Sequence, residues 1–101
     1  MLRKSSLKEV KDFLLKNKPL LQDKFGVRKT GLFGSIVKGR ERESSDIDVL
    51  IEFKEGSETF KNYMGLKFYL EDNLGRKVDL VIKETLKPTI KQDVIREAVY
   101  V

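Results

Sequence analysis

Two short polar motifs are the residues of this sequence whose types and spacing could do chemistry. The first is Gly34-Ser35, and the second, Asp46-Ile47-Asp48, follows after ten intervening residues. A Gly-Ser pair at a strand-to-helix turn offers backbone N–H groups and a hydroxyl, which together suit a phosphate. Two carboxylates at alternate positions of a strand point to one face, where a cation relieves their repulsion. Because such hard oxygen ligands suit Mg²⁺, which also binds substrate phosphates, the motifs indicate a nucleoside triphosphate site.

A third carboxylate, Asp79, lies inside the otherwise apolar run from Val78 to Ile82. A lone carboxylate in such a strand is unfavourable unless something compensates its charge, and a shared metal ion would do so. Three carboxylates beside a phosphate-binding turn are the groups needed for two-metal nucleotidyl transfer. Asp46, Asp48 and Asp79 are therefore the candidate catalytic residues and metal ligands. The alternatives are a turn cap for Asp46, a surface strand position for Asp48 and a structural role for Asp79.

Apolar spacing and the positions of glycine and proline predict the helices and strands that carry these residues. The predicted helices are 7–17, a short turn of helix at 19–26, a short helix or turn at 35–39, 59–74 and a last helix that begins at Pro88. The predicted strands are 27–33, 46–53 and 77–82. In the second strand, Asp46 and Asp48 share one face and the opposite face is entirely apolar.

The lengths of the connections decide how the three predicted strands pair. About a dozen residues separate the first two strands, whose motif ends must meet around one triphosphate, so this pair is antiparallel. The helix 59–74 is about 22 Å long and returns the chain to the starting edge. The third strand is then parallel to the second through a right-handed crossover, which places Asp79 beside Asp46 and Asp48. We therefore predict an α+β fold with a small mixed three-stranded sheet.

Composition excludes several other classes of chemistry. The 101 residues include no cysteine and no histidine, which removes thiol catalysis, disulfides and the commonest general base and Zn²⁺ ligand. No apolar run approaches the ~20 residues that span a bilayer, and the N-terminus lacks a signal-peptide core. We therefore expect a single cytoplasmic domain over residues 1–101, with one site and no separate acceptor-binding domain.

Basic residues exceed acidic ones and give a net charge of +5. This excess suits either a solvated surface or attraction to a triphosphate, a nucleic acid or an acidic partner. The sequence contains no recognition helix, RNP motif or alternating aromatic and basic platform. Direct nucleic-acid binding is therefore not expected.

The motifs in combination resemble the signature of the DNA polymerase β-like nucleotidyltransferase superfamily, in which Gly-Ser is followed by Asp-x-Asp. From about Leu7 to the C-terminus, the chain is similar to the minimal nucleotidyltransferases, the MNT proteins of prokaryotes. The matching positions are Leu32-Phe33-Gly34-Ser35, Gly39, Arg42, Ser45-Asp46-Ile47-Asp48 and Lys77-Val78-Asp79-Leu80.

The resemblance implies a Mg²⁺-dependent transfer of AMP from ATP to an acceptor hydroxyl. Asp46 and Asp48 would hold the Mg²⁺ that grips the β- and γ-phosphates. Together with Asp79 they would hold a second Mg²⁺, which lowers the pKa of the acceptor hydroxyl. Asp79 is also the candidate general base, because it lies furthest from the triphosphate.

Four further residues are the candidate nucleotide-binding groups. Gly34 and Ser35 would bind terminal phosphate oxygens through a backbone N–H and a hydroxyl. Lys38 and Arg42 could neutralise the charge that develops on the leaving pyrophosphate, or they could be ordinary loop charges.

MNT proteins of this size resemble the antitoxin halves of toxin–antitoxin pairs. The resemblance implies a partner that is a HEPN-domain ribonuclease toxin, AMPylated on a tyrosine. One alternative is a binding module that neutralises its partner by occlusion, against which the intact set of three aspartates argues. Another is transfer to an RNA end or a small molecule, for which the chain has neither a nucleic-acid module nor an acceptor pocket.

Overall fold

The computed structural model describes residues 7–39 and 46–101. Within these ranges the helices are α1 Leu7–Lys16, α2 Lys18–Phe25, α3 Ser35–Lys38, α4 Phe60–Leu74 and α5 Pro88–Glu97, with a 3-10 turn at Lys83–Thr85. The strands are β1 Val27–Phe33, β2 Ile47–Phe53, β3 Val78–Ile82 and β4 Val99–Tyr100. They form a mixed sheet in the spatial order β3-β2-β1-β4.

The pairing of the sheet confirms the predicted α+β fold. Strand β1 is antiparallel to β2, and β2 is parallel to β3, with α4 as the crossover helix. The predicted strand count of three was one short, because β4 pairs antiparallel with β1 through Gly31–Tyr100 and Leu32–Val99. Two residues are too few to show the alternation by which a strand is identified in a sequence.

The buried core lies between one face of the sheet and helices α1, α2 and α4. The side chains that fill it are almost completely excluded from solvent: Val10, Leu14, Leu21, Leu32, Val49, Ile51, Leu66, Leu70 and Leu80. Burying a side chain of this size stabilises the fold by about 1.5–3 kcal/mol. The core therefore holds the three longer strands firmly, and their opposite face can carry polar groups.

Helix α4 is tied at its start and along its length. The Thr59 hydroxyl accepts a hydrogen bond of 3.1 Å from the Asn62 N–H and caps the helix. The Tyr63 hydroxyl donates a 2.6 Å hydrogen bond to the Leu80 carbonyl of β3. These contacts fix the crossover helix against the strand that carries Asp79.

In residues 7–39 and 46–101, no helix is long and apolar enough to cross a membrane.

Candidate active site

Gly34 lies where the chain leaves β1 and enters α3. Its φ of 75° and ψ of −147° belong to a region that is essentially open to glycine alone. The surrounding side chains also require glycine here. A Cβ atom at this position would lie only 2.9 Å from Cγ of Asp48 and would overlap its carboxylate. The backbone of the turn is therefore pressed directly against an acidic side chain of β2.

Ser35 ties this turn to the same carboxylate. Its backbone N–H donates a hydrogen bond to Asp48. Helix α3 then makes a single turn, in which the N–H groups of Val37 and Lys38 donate to the Gly34 carbonyl at 3.2 and 3.1 Å. Sequence reasoning assigned the groups of this turn to phosphate alone, whereas the structure shows that one of them also holds Asp48 in place.

Asp48 and Asp79 are direct partners in the parallel pairing of β2 and β3. Their side chains leave the same face of the sheet, and the Asp79 carboxyl group lies close enough to raise the pKa of Asp48. Burial, reinforced by the charges of Asp79 and Asp46, raises the pKa of Asp48 to about 6, and the Ser35 N–H opposes part of this rise.

Asp46 stands immediately before β2 and is exposed to solvent, as is Asp79. Asp46 is close enough for its charge to act on Asp48. The structure thus brings together Gly34, Ser35 and the three predicted aspartates at one edge of the sheet. Arg42, another predicted nucleotide-binding residue, lies outside the described residues.

The donor chemistry of this edge fits a divalent cation. In the part of the chain that the structure describes, no three acidic side chains are already closed around a metal position. The charges of Asp48 and Asp79, however, oppose each other, and a divalent cation between them would satisfy both carboxylates. Donors that are oxygen atoms alone suit Mg²⁺ rather than the metals that prefer sulfur or imidazole ligands. Asp46, Asp48 and Asp79 are the residues that would hold such an ion.

Glu52 is a further carboxylate on the site-bearing face of β2, but it is already paired with two basic side chains. Its carboxylate receives Arg28 at 2.8 Å and Lys83 at 3.4 Å, and only 6% of its side chain is exposed. Burial acts to raise the pKa of Glu52, but the hydrogen bond from Arg28 and the charge of Lys83 outweigh burial, so the pKa is lowered. Glu52 therefore joins β1, β2 and the turn after β3, and we exclude it from the site.

Lys38 is the last residue of α3, and its ammonium lies 3.0 Å from Oε1 of Glu97. Glu97 ends α5 and is the residue near the site that sequence reasoning missed. Nothing in its sequence neighbourhood distinguishes it from other charged residues on a solvated helix.

We expect Asp48→Asn to raise the melting temperature at pH 7 when metal and nucleotide are absent. At this pH the parent protein holds an ionised carboxylate that burial and the neighbouring charges disfavour. Asparagine removes the charge and keeps an oxygen that can accept the Ser35 N–H. Thermal unfolding in the presence of a chelator measures the difference, with Asp93→Asn on exposed α5 as the control.

The same pKa shift sets the sign of a pH dependence. Because folding raises the pKa of Asp48 from 3.8 to about 6, the folded protein binds this proton more tightly than the unfolded chain does. The stability contributed by the protonated group is complete below 3.8 and is lost as the pH rises through 6. Asp48→Asn should lack this part of the slope, and parallel stability profiles of variant and parent would contradict the assignment.

The sequence is similar both to a protein family and to individual proteins. The family model described as the nucleotidyltransferase domain matches residues 7–101. The protein adenylyltransferase MntA of Thermococcus cleftensis is 45% identical over 96 residues, which cover 95% of this chain and 96% of that relative. Both findings confirm the resemblance that the Gly-Ser and Asp-x-Asp motifs indicated.

Solved structures share the fold. One, of a candidate minimal nucleotidyltransferase, superposes with a TM-score of 0.74 at 34% identity, covering 89% of this chain and 93% of that one. Another comes from the complex of a tri-AMPylated HEPN toxin of Shewanella oneidensis with an MNT antitoxin. It gives a TM-score of 0.66 at 18% identity, covering 92% of this chain and 69% of that chain, and supports the fold alone.

Proposed function

This chain belongs to the nucleotidyltransferase domain family, and from that premise we propose that it transfers AMP from ATP to a hydroxyl group of a partner protein. One observation carries the proposal: the Gly34-Ser35 turn, Asp48 and Asp79 meet at a single edge of the sheet. A phosphate-binding turn in contact with paired carboxylates is the arrangement that nucleotidyl transfer requires. Residues 1–101 act as one cytoplasmic domain in this proposal.

The residues of the turn bind the triphosphate. The Gly34 N–H and the Ser35 hydroxyl bind terminal phosphate oxygens, and Lys38 and Arg42 stabilise the negative charge of pyrophosphate as it leaves. Two Mg²⁺ ions held by Asp46, Asp48 and Asp79 would, when bound, neutralise the phosphates and acidify the acceptor hydroxyl.

Asp79 is the general base of the proposed reaction. Its carboxylate accepts the proton of the acceptor hydroxyl, and the oxygen attacks the α-phosphorus of ATP in line with the leaving group. The bond from the α-phosphorus to the bridging oxygen breaks, so the products are the AMP-modified acceptor and pyrophosphate. Asp79 is suited to this role because it is exposed and lies one strand further from the phosphate turn than Asp48.

The acceptor we propose is a tyrosine of a HEPN-domain ribonuclease toxin, which the modification silences. The support is the name of the relative from T. cleftensis and the AMPylated HEPN toxin in the complex with an MNT antitoxin. In this reaction the chain is an antitoxin that acts catalytically rather than by covering its partner.

Titrating the ratio of this protein to the toxin tests the function. A small amount of the protein with Mg·ATP should silence an excess of toxin, because one enzyme modifies many acceptors. Mass spectrometry should find the toxin heavier by one or more AMP units. Asp46→Ala should abolish both effects, whereas Asp72→Ala on the exposed surface of α4 should preserve both. Stoichiometric protection that needs no ATP and survives Asp46→Ala would indicate an occluding binder instead.

A further inference from the structure

The ion pair between Lys38 and Glu97 connects the phosphate turn to the C-terminal part of the chain. The two charged groups are 3.0 Å apart, with 45% of the lysine side chain and 42% of the glutamate side chain exposed. Glu97 is the last residue of α5, directly before β4 begins at Val99. The pair is therefore formed between two helix ends that the sequence places far apart.

The backbone of Lys38 is part of the phosphate turn itself. Its N–H donates to the Gly34 carbonyl at 3.1 Å, within the single turn of α3. Lys38 comes three positions after Ser35, so the two residues are neighbours on the same side of this helix. The position of the Lys38 side chain therefore depends on the position of this turn.

The segment that follows Glu97 has side chains on the face of the sheet that carries Asp48. Gly31 is the register partner of Leu50 in β2, which lies on the same face as Asp48. A Cβ atom at Gly31 would lie 3.2 Å from the Tyr100 ring and 3.6 Å from the Ala98 side chain. The side chains of Ala98 and Tyr100 therefore lie on the site-bearing face, and the ion pair with Lys38 holds the Glu97 carboxylate beside the end of α3.

We propose that Glu97 sets the affinity of the site for nucleotide by binding Lys38 when no nucleotide is present. The inference rests on the proposed function, which places a triphosphate at Gly34 and Ser35. A triphosphate carries more negative charge than one carboxylate and takes over the lysine when it binds. Because both members of the pair are half-exposed, the exchange costs little free energy.

The same competition acts when the products leave. Once pyrophosphate dissociates from the turn, Glu97 binds Lys38 again, so the glutamate opposes rebinding of pyrophosphate as well as binding of ATP. Removing Glu97 should then strengthen both interactions without raising kcat. This separation of effects distinguishes a competitor for Lys38 from a residue that only supports the fold.

Calorimetry of Mg·ATP binding without a partner protein tests the proposal through Glu97→Gln. The variant should lower the dissociation constant by about two- to fivefold, the size expected for one half-exposed ion pair. Mg·pyrophosphate should show a change in the same direction, and high salt should reduce both differences. Asp93→Asn is the matched control, because it removes the same charge one turn earlier on α5 from an exposed pair with Arg96.

A double variant decides whether Glu97 acts through the lysine. In a Lys38→Met background, Glu97→Gln should no longer alter the dissociation constant. A change as large as in the parent background, or one no larger than in Asp93→Asn, would overturn the proposal. If the parent binds no Mg·ATP at all, the proposed function and this inference both fail; normal binding by the parent with an unchanged Glu97→Gln variant overturns only the inference.

Discussion

Asp79→Asn should lower the rate of AMP transfer by about 10²-fold or more and leave most of the affinity for Mg·ATP intact. The expected loss of rate is the scale typical of a missing general base. Asp48 carries the contacts to the Gly34-Ser35 turn, since the Ser35 N–H binds it and Gly34 lies against it. Asp79 stands on the next strand and is exposed to solvent.

Two measurements separate rate from binding for Asp79. Calorimetry gives the dissociation constant for Mg·ATP, and mass spectrometry of the partner over time gives the transfer rate. Asp48→Asn is the informative comparison, because it should lose nucleotide affinity as well as rate. Asp72→Asn, exposed on α4, should change neither. Equal transfer rates in Asp79→Asn and the parent would leave Asp79 with a structural role only.

Gly34→Ala should destabilise the protein and abolish tight nucleotide binding together. The backbone conformation alone costs a residue with a side chain about 1–3 kcal/mol. The new methyl group would also overlap the Asp48 carboxylate, so that the turn or the aspartate must move. For a domain of this size, each kcal/mol lost from the free energy of unfolding lowers the melting temperature by roughly 4–8 °C.

Gly56→Ala is a matched control for this prediction. Gly56 also has a positive φ, of 80°, but a Cβ atom there would have nothing within 4 Å. This variant therefore carries backbone strain without overlap, in the turn at the far end of β2. It should lose some stability and bind Mg·ATP as the parent does. Parent-like binding by Gly34→Ala would show that the turn is not the phosphate site.

Local patterns in the sequence were sufficient to identify the main elements. Strand β1 has the predicted bounds, and α4 ends before Gly75 as predicted, because alternation, helical spacing and glycine stops act over a few neighbouring residues. The pairing of the strands also followed from the sequence. A short link permits only an antiparallel neighbour, whereas a long crossover helix permits a parallel one.

The sequence by itself therefore determined which residues are candidates for the chemistry and near which strand ends they lie. The approach of Asp79 to Asp48 followed from connection lengths and strand direction, before any contact was known. The strand pairing was predicted correctly because residue spacing and chain length constrain it directly.

Only the tertiary structure decided the contacts between groups that are distant along the chain. The hydrogen bond from Ser35 to Asp48, the rise in the Asp48 pKa and the pairing of Lys38 with Glu97 all depend on how closely separate elements approach. The edge strand β4 belongs with them, since two residues become a strand only when β1 offers free backbone groups beside them. Electrostatic and hydrogen-bond energies change over distances of about an ångström, which residue spacing along a chain does not specify.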